Sequence, residues 1–337
     1  MESNSYPSIK QVSILYSITV FLFLFIGSRA QQYEFYSGIL LTEFVLIMAP
    51  ALALLSIYGY NVKEVLRLNR ISFLNIFLIF WIMIFAIPVV AVFNLANLWV
   101  IKHIFGKVLV AQPPTATNLT ELLINLLIIG GVAGICEEVL FRGVVQRGFE
   151  RLGTVRAILL SAFLFGLMHS DFQKLLGTFM LGTLIGFIVY RTDSIFGGIF
   201  AHFTNNSIAT VMAYLSDKLL AAAQSSGAGG AGGQYDADGL FSSFESIPEV
   251  QLIAMIIAGS FLFMFCAVVL TGLLVAFFRT TSAKPNAVPA DMSTAGLKGM
   301  LWLLPGLVMV GFIYVYQGLS LMGVRVGFVD SITKLLG

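Results

Sequence analysis

Charged residues are scarce in this 337-residue chain, and that scarcity narrows the class of protein. Asp, Glu, Lys and Arg make up 11% of the sequence, whereas hydrophobic residues make up 58%. Because soluble domains carry roughly 25% charged residues, the composition excludes an ordinary soluble protein and predicts a polytopic membrane protein. The net charge of +2 gives no indication of nucleic acid binding.

Cysteine and histidine are also rare. The two cysteines, Cys136 and Cys266, lie in apolar runs, which does not support a disulfide framework and favours free buried thiols. The three histidines are His103, His169 and His202. His103 is interpreted as a surface residue in a loop, whereas the other two lie within or at the end of apolar runs.

Long apolar runs are what the sequence has instead. A spanning helix needs about 20 mostly apolar residues, and strand alternation typical of a barrel is absent from the sequence. The candidate spans are approximately residues 11–28, 38–58, 71–99, 119–140, 157–170, 174–190, 195–215, 250–278 and 299–323. Several middle spans are short, as expected of helices around a polar cavity. We therefore predict an all-α transmembrane bundle of eight or nine spans enclosing a membrane-embedded polar cavity.

The first apolar run raises the question of a signal peptide. Residues 14–26 precede Ser28-Arg29-Ala30, which resembles a cleavage site, but Lys10 is the only basic residue before the run. We expect a retained first helix rather than a cleaved signal peptide.

A low-complexity stretch, Ser-Ser-Gly-Ala-Gly-Gly-Ala-Gly-Gly at residues 225–233, interrupts the chain and is typical of a flexible linker. We predict N-terminal transmembrane helices at 1–118 and a core at 119–215. A flexible, non-cytoplasmic Gly-rich loop at 216–249 and C-terminal transmembrane helices at 250–337 follow. The pairs Gly130-xxx-Gly134 and Gly182-xxx-Gly186 predict close helix packing, with a substrate-helix contact as the alternative.

Basic residues predict the orientation of the spans. Twelve of the nineteen fall before the first span or after the second, fourth, sixth and eighth: Lys10, Lys63, Arg67, Arg70, Arg142, Arg147, Arg151, Arg156, Arg191, Arg279, Lys284 and Lys298. The loop at 216–250 carries five acidic residues against one lysine. We therefore expect the N-terminus and the polar cavity to face the cytoplasm.

Two adjacent carboxylates, Glu137 and Glu138, follow the apolar run 122–136. A charge at the centre of a spanning helix costs about 2.5 kcal/mol or more. Glu138 and Arg142 are four residues apart on one helix face and can pair, whereas Glu137 is rotated by about 100° from Glu138. One carboxylate is therefore held by arginine and the other is left free. A pair of carboxylates at the membrane boundary is the simpler alternative.

Two later motifs supply further polar groups. Phe165 and His169 lie one turn apart at the end of an apolar run, and His202 and Asn206 share one face of another. Taken alone, the first motif is explained by a histidine at a helix boundary, and the second by a hydrogen bond between helices. Together with Glu137, they suit amide hydrolysis: a carboxylate and an imidazole deprotonate water, and an imidazole and a carboxamide stabilise an oxyanion.

The order and spacing of these motifs resemble the CAAX prenyl endopeptidase and bacteriocin-processing family of intramembrane proteases. The resemblance covers roughly residues 119–210 and is carried by Glu137-Glu138-xxx-Arg142, Phe165-xxx-His169 and His202-xxx-Asn206. It implies a helical bundle with a conical cavity open to the cytosol. It also implies membrane lipid and a peptide or protein substrate as partners, the substrate being prenylated in the CAAX branch.

The resemblance also implies a role for each residue. Glu137 is the base with His169 assisting, and His202 and Asn206 form the oxyanion hole. The supporting residues are Glu138, Arg142 and Phe165. The zinc-protease motif His-Glu-xx-His is absent from the sequence. Glu137, His169 and His202 could still hold zinc and leave one position for water; the metal-free mechanism is favoured, and the cofactor stays open.

Three other functions compete with an endopeptidase. A non-catalytic scaffold or immunity protein would bind peptides in the same cavity. A transporter would use intramembrane carboxylates as a proton relay, but the sequence shows no matching repeat and, on this interpretation, no second charged helix. Cys136 as a nucleophile is disfavoured because an apolar environment suppresses the thiolate.

Overall fold

The computed structural model describes residues 5–108, 115–225, 247–281 and 288–324, and the regular structure within these ranges is helical. The helices are α1 (Ile9–Tyr33), α2 (Phe35–Ile57), α3 (Val62–Val65), α4 (Phe73–Phe105), α5 (Leu119–Leu152), α6 (Thr154–Met168), α7 (Leu175–Thr192), α8 (Ile195–Ser225), α9 (Glu249–Thr280) and α10 (Thr294–Leu321). The predicted all-α fold is confirmed.

Seven of these helices are long and apolar enough to cross a membrane: α1, α2, α4, α5, α7, α9 and α10. A polytopic bundle is therefore confirmed, with fewer spans by these criteria than the predicted eight or nine. Helix α6 has 15 residues, or about 22 Å, which is shorter than the hydrocarbon core of about 30 Å. Helix α8 is long enough, but His202, Asn205 and Asn206 lower its hydropathy.

Side-chain caps explain where several spans begin. Ser8 accepts a hydrogen bond from the Gln11 backbone N–H, and the Gln11 side chain accepts one from the Ser8 backbone, which forms a capping box. The Ser72 side chain accepts from the Asn75 backbone N–H at the start of α4, and the Asn118 side chain accepts from the Glu121 backbone N–H at the start of α5. Each cap satisfies a backbone donor that the helix itself leaves free.

The first ten residues of the segment predicted as a loop, 216–249, are helical. Helix α8 continues to Ser225, because residues 219–223 read Leu-Leu-Ala-Ala-Ala, which are strong helix formers. Residues 226–246, with most of the Gly-rich stretch, lie outside the described residues, as do residues 325–337. His103 is exposed as predicted, but it belongs to the last turn of α4 and not to a loop.

Helix α5 occupies the interior of the bundle, in contact with α2, α6 and α8. Its course includes two π-helical segments, Leu126–Val132 and Val139–Val145, and α2 includes a third at Thr42–Met48. Such widened turns occur frequently at functional sites. The residues Ala133–Glu138 lie between the two segments of α5.

Glycines allow the helices around α5 to approach closely. A Cβ on Gly134 would lie 3.5 Å from the backbone nitrogen of Phe203 on α8, and one on Gly130 would meet α8 at 3.1 Å. Cβ atoms on Gly182 and Gly186 would meet atoms of α6 and α5 at 3.2 and 2.8 Å. The prediction that these glycine pairs serve helix packing is confirmed.

Buried ion pairs join several elements at one end of the bundle, which we call the basic end. Arg67, before α4, pairs with Glu150 near the end of α5 at 2.5 Å and with Asp193 after α7 at 2.9 Å. Arg151 donates to the backbone carbonyl of Pro7 at 3.1 Å. The N-terminal segment, the end of α5 and the turn between α7 and α8 therefore meet at the basic end.

The opposite end, which we call the far end, is fixed by a contact between α8 and the start of α5. The Lys218 Nζ donates to the Thr117 carbonyl at 2.7 Å. Helix α5 spans about 51 Å between the two ends, and α1 runs in the opposite direction to it, ending near Tyr33.

Candidate active site

Glu138 is completely buried and is balanced by two neighbours. Its Oε1 accepts a hydrogen bond from Arg142 Nη1 at 2.7 Å and lies 3.0 Å from His202 Nδ1. The i,i+4 pairing expected from helical phase is present. Arg142 also donates from Nη2 to the Gly182 carbonyl at 3.0 Å, so the pair ties α5 to both α7 and α8.

Phe165 lies at the centre of the aromatic and basic groups. Its ring centroid is 4.9 Å from that of His169 and 5.7 Å from that of His202, both edge to face, and the Arg142 guanidinium lies 4.5 Å from it. The Phe165 carbonyl lies 3.0 Å from His169 Nδ1. Phe165 thus restrains both imidazoles and covers the buried guanidinium.

Glu137 points away from Arg142 and towards Nε2 of His202, the ring nitrogen that Glu138 does not contact. Its Oε2 lies 3.6 Å from His202 Nε2 and, among the described residues, has no hydrogen-bond partner. Because Glu138 is a carboxylate acceptor at Nδ1, that nitrogen carries the hydrogen. His202 Nε2 then accepts in the neutral imidazole and donates only in the imidazolium.

Asn206 faces the same region from α8. Its amide nitrogen donates to the Ile129 carbonyl at 2.9 Å, and its Oδ1 accepts from the Asn205 side chain at 3.0 Å. A primary amide has two N–H groups, so one donor remains after the bond to Ile129. The carboxamide is held in a fixed orientation by these two bonds.

A cavity of about 470 Å³ brings several of the predicted site residues together. Its polar lining includes Gln31, Glu43, Asn125, Glu137, His169 and Asn206. His202 is not part of this lining and is only 4% exposed. The structure therefore gathers Glu137, His169 and Asn206 around one space, with His202 directly behind Glu137.

The cavity extends towards the far end of the bundle. Gln31 near the end of α1, Ile39 near the start of α2 and Thr115 before α5 all line it. The N-terminus lies at the basic end, as the contact of Arg151 with Pro7 shows. The cavity lining and the N-terminal segment therefore lie towards opposite ends of α5. Which of these ends faces the cytoplasm stays a prediction.

Glu43 was overlooked among the candidate residues. It is 6% exposed on α2 and lines the cavity together with Glu137. The statement that no second span carries a charge is wrong, since Glu43 is the one charged residue in the apolar run 38–58. A single carboxylate at membrane depth was the signal that could have identified it.

The proposed zinc ligands do not form a metal-binding group in this arrangement. Among the described residues, no set of three or more His, Cys, Asp or Glu side chains has a spacing suited to a metal ion. Glu137, His169 and His202, the zinc ligands considered from the sequence, are therefore not arranged as a zinc site in this structure. Cys136 is fully buried against Met48, with the two sulfur atoms 3.9 Å apart, and does not line the cavity.

The fold and the site define a multi-pass helical membrane protein with carboxylate, imidazole and carboxamide groups around an internal cavity. Residues 119–208 match the family model described as "Type II CAAX prenyl endopeptidase Rce1-like". The resemblance drawn from the three motifs is confirmed for this segment, which contains Glu137, His169, His202 and Asn206.

One curated relative matches part of the chain. It is a protein of Bacillus subtilis (strain 168) named "Putative membrane peptidase YdiL", 32% identical over 89 residues. The alignment covers 26% of this chain and 36% of the relative, so the chain spans about a third of the length of the relative. No solved structure matches the chain.

Proposed function

We propose that this protein is an intramembrane endopeptidase that hydrolyses peptide bonds with a water activated by Glu137. The observation that carries the proposal is the cavity in which Glu137, His169 and Asn206 meet. The match of residues 119–208 to a prenyl endopeptidase model supports the same reaction class. We further propose that residues 119–215 form the catalytic core.

Within the core, the geometry suits separate catalytic roles for the residues of the site. Glu137, which lines the cavity, takes a proton from water, and His169, also in the lining, orients that water. The oxygen then attacks the peptide carbonyl. The remaining N–H of Asn206 donates to the developing oxyanion, and His202 Nε2 adds a second donor when the ring is protonated.

Glu138, Arg142 and Phe165 act as positioning residues. The carboxylate of Glu138 fixes the tautomer and orientation of His202 through Nδ1 at 3.0 Å, and Arg142 compensates the buried negative charge at 2.7 Å. Such outer contacts hold a reacting group near its productive geometry.

The side from which substrate enters follows from charge. The basic end is expected in the cytoplasm, so the cavity opens towards the non-cytoplasmic side. We propose that a membrane-associated peptide or protein segment enters from there, with membrane lipid around the bundle. A prenyl group on the substrate is one form that the family resemblance supports.

A comparison of cleavage products tests the proposed reaction. Cells expressing wild-type protein, Glu137→Gln or the matched control Glu249→Gln, an exposed residue at the start of α9, are compared for new N-termini among membrane peptides. We expect wild-type and Glu249→Gln products to coincide and Glu137→Gln to lose them. Retention of the products by Glu137→Gln contradicts the endopeptidase and favours a peptide-binding scaffold.

Purified protein in liposomes extends the test to substrate and metal. A synthetic peptide ending in a farnesylated CAAX sequence and its unprenylated counterpart show whether the lipid is required. The zinc content of wild-type and His202→Ala preparations, measured beside their activity, shows whether cleavage depends on a metal.

A further inference from the structure

Glu43 is a buried carboxyl group that the mechanism above does not use. It belongs to the π-helical segment Thr42–Met48 of α2, and it is 6% exposed. Its Oε2 is buried and has no hydrogen-bond partner within the part of the chain that the structure describes. This segment packs against Ala133–Glu138 of α5. Glu43 and Glu137 line the same cavity from two different helices.

The charge balance around Glu43 differs from that around Glu138. Arg142 is committed to Glu138 at 2.7 Å. In the described part of the chain, Glu43 forms no ion pair. A buried carboxylate without a cation is costly, and a second carboxylate in the same cavity adds like-charge repulsion. A neutral Glu43 beside an ionised Glu137 satisfies both constraints.

We propose that Glu43 is a further catalytic residue, the carboxylic acid that protonates the leaving amine, which rests on the endopeptidase function proposed above. An amide nitrogen leaves poorly as an anion, so hydrolysis by a carboxylate base requires an acid near the scissile nitrogen. Glu43 lines the cavity from α2, beside the segment of α5 that carries Glu137, and is therefore placed for this role.

Glu137 and Glu43 together account for the protons that move in the reaction. Water gives one proton to Glu137, and its oxygen forms a bond to the carbonyl carbon. The carbon–nitrogen bond then breaks, and the nitrogen takes the proton of Glu43. The proton on Glu137 returns to Glu43 through cavity water, so that water and a peptide bond yield an acid and an amine.

Substrates that differ only in the leaving group test this role. The peptide cleaved by the wild-type protein is synthesised with its scissile amide and, separately, with an ester at the same bond. Because an alkoxide leaves more readily than an amide anion, we expect Glu43→Gln to lose on the order of a hundredfold or more in amide hydrolysis and much less in ester hydrolysis. Equal losses on both substrates contradict a general acid and indicate a structural role.

Infrared difference spectroscopy gives a readout that does not depend on activity. The carbonyl stretch of a protonated carboxylic acid should be present in wild-type protein and in Glu249→Gln and absent from Glu43→Gln. An unchanged band overturns the proposal. If wild-type protein cleaves no peptide, the proposed function fails, and with it the catalytic role, while the infrared band still shows whether Glu43 holds the proton.

Discussion

At the scale of single residues, the site separates two adjacent glutamates by their partners. Glu138 has Arg142 at 2.7 Å and His202 at 3.0 Å, so its charge is compensated in a fully buried position. Glu137 lies 3.6 Å from the far nitrogen of His202 and lines the cavity. The first carboxylate is therefore a fixed structural charge, and the second is available to water.

Removing one member of the buried Glu138–Arg142 pair should lower the free energy of unfolding more than removing both members. Glu138→Leu leaves the Arg142 guanidinium without its carboxylate, and we expect a loss of about 3–5 kcal/mol in the free energy of unfolding. The double variant Glu138→Leu/Arg142→Leu should regain a large part of that loss. Unfolding in mixed micelles measures both, with Glu249→Leu as the control on an exposed carboxylate. A double variant less stable than Glu138→Leu contradicts this account.

Helical phase was sufficient to predict the pairing of Glu138 with Arg142, because both lie on one helix. The contact of His202 with both glutamates and the inclusion of Glu43 in the cavity depend on how α2, α5 and α8 pack. Spacing along the chain does not specify that packing. Spacing along the chain also could not predict that Glu137, His169 and His202 form no metal-ligand group among the described residues.

At the scale of elements, glycine determines how closely α8 approaches Glu138. A Cβ on Gly198 would lie 2.7 Å from Glu138 Oε2 and 2.5 Å from Val189 Cγ2, which real Cβ atoms do not tolerate. A larger side chain must therefore displace either α8 or the buried carboxylate. Since α8 also carries His202 and Asn206, its position controls the geometry of the site.

Gly198→Ala should lower both stability and cleavage, because α8 must shift and carry His202 away from Glu138. Gly259→Ala is the matched control, since its Cβ meets nothing within 4 Å on α9. There, alanine should stabilise the helix by about 0.5–1 kcal/mol. Thermal unfolding and cleavage rates, measured for both variants, test these expected changes in stability and activity. Equal behaviour of the two variants shows that close packing at Gly198 is unimportant.

At the scale of the whole molecule, the site lies between a basic end and a far end with different charge. The basic end holds the buried pairs of Arg67 with Glu150 and Asp193, and the cavity is lined towards the far end by Thr115 and Ala213. Sequence charge predicted which loops lie together. It could not predict the direction of the cavity, because that depends on the packing of α1, α2 and α8.

Labelling from one side of the membrane tests this arrangement. Single cysteines at the exposed residues Lys63, at the basic end, and Lys218, at the far end, are introduced after Cys136 and Cys266 are replaced by alanine. A maleimide that does not cross membranes should label Lys218→Cys in intact cells and Lys63→Cys only after permeabilisation. The reverse pattern places the cavity mouth in the cytoplasm. Labelling of both sites in intact cells contradicts the assignment of the two residues to opposite ends, which rests on the contact of Lys218 with Thr117.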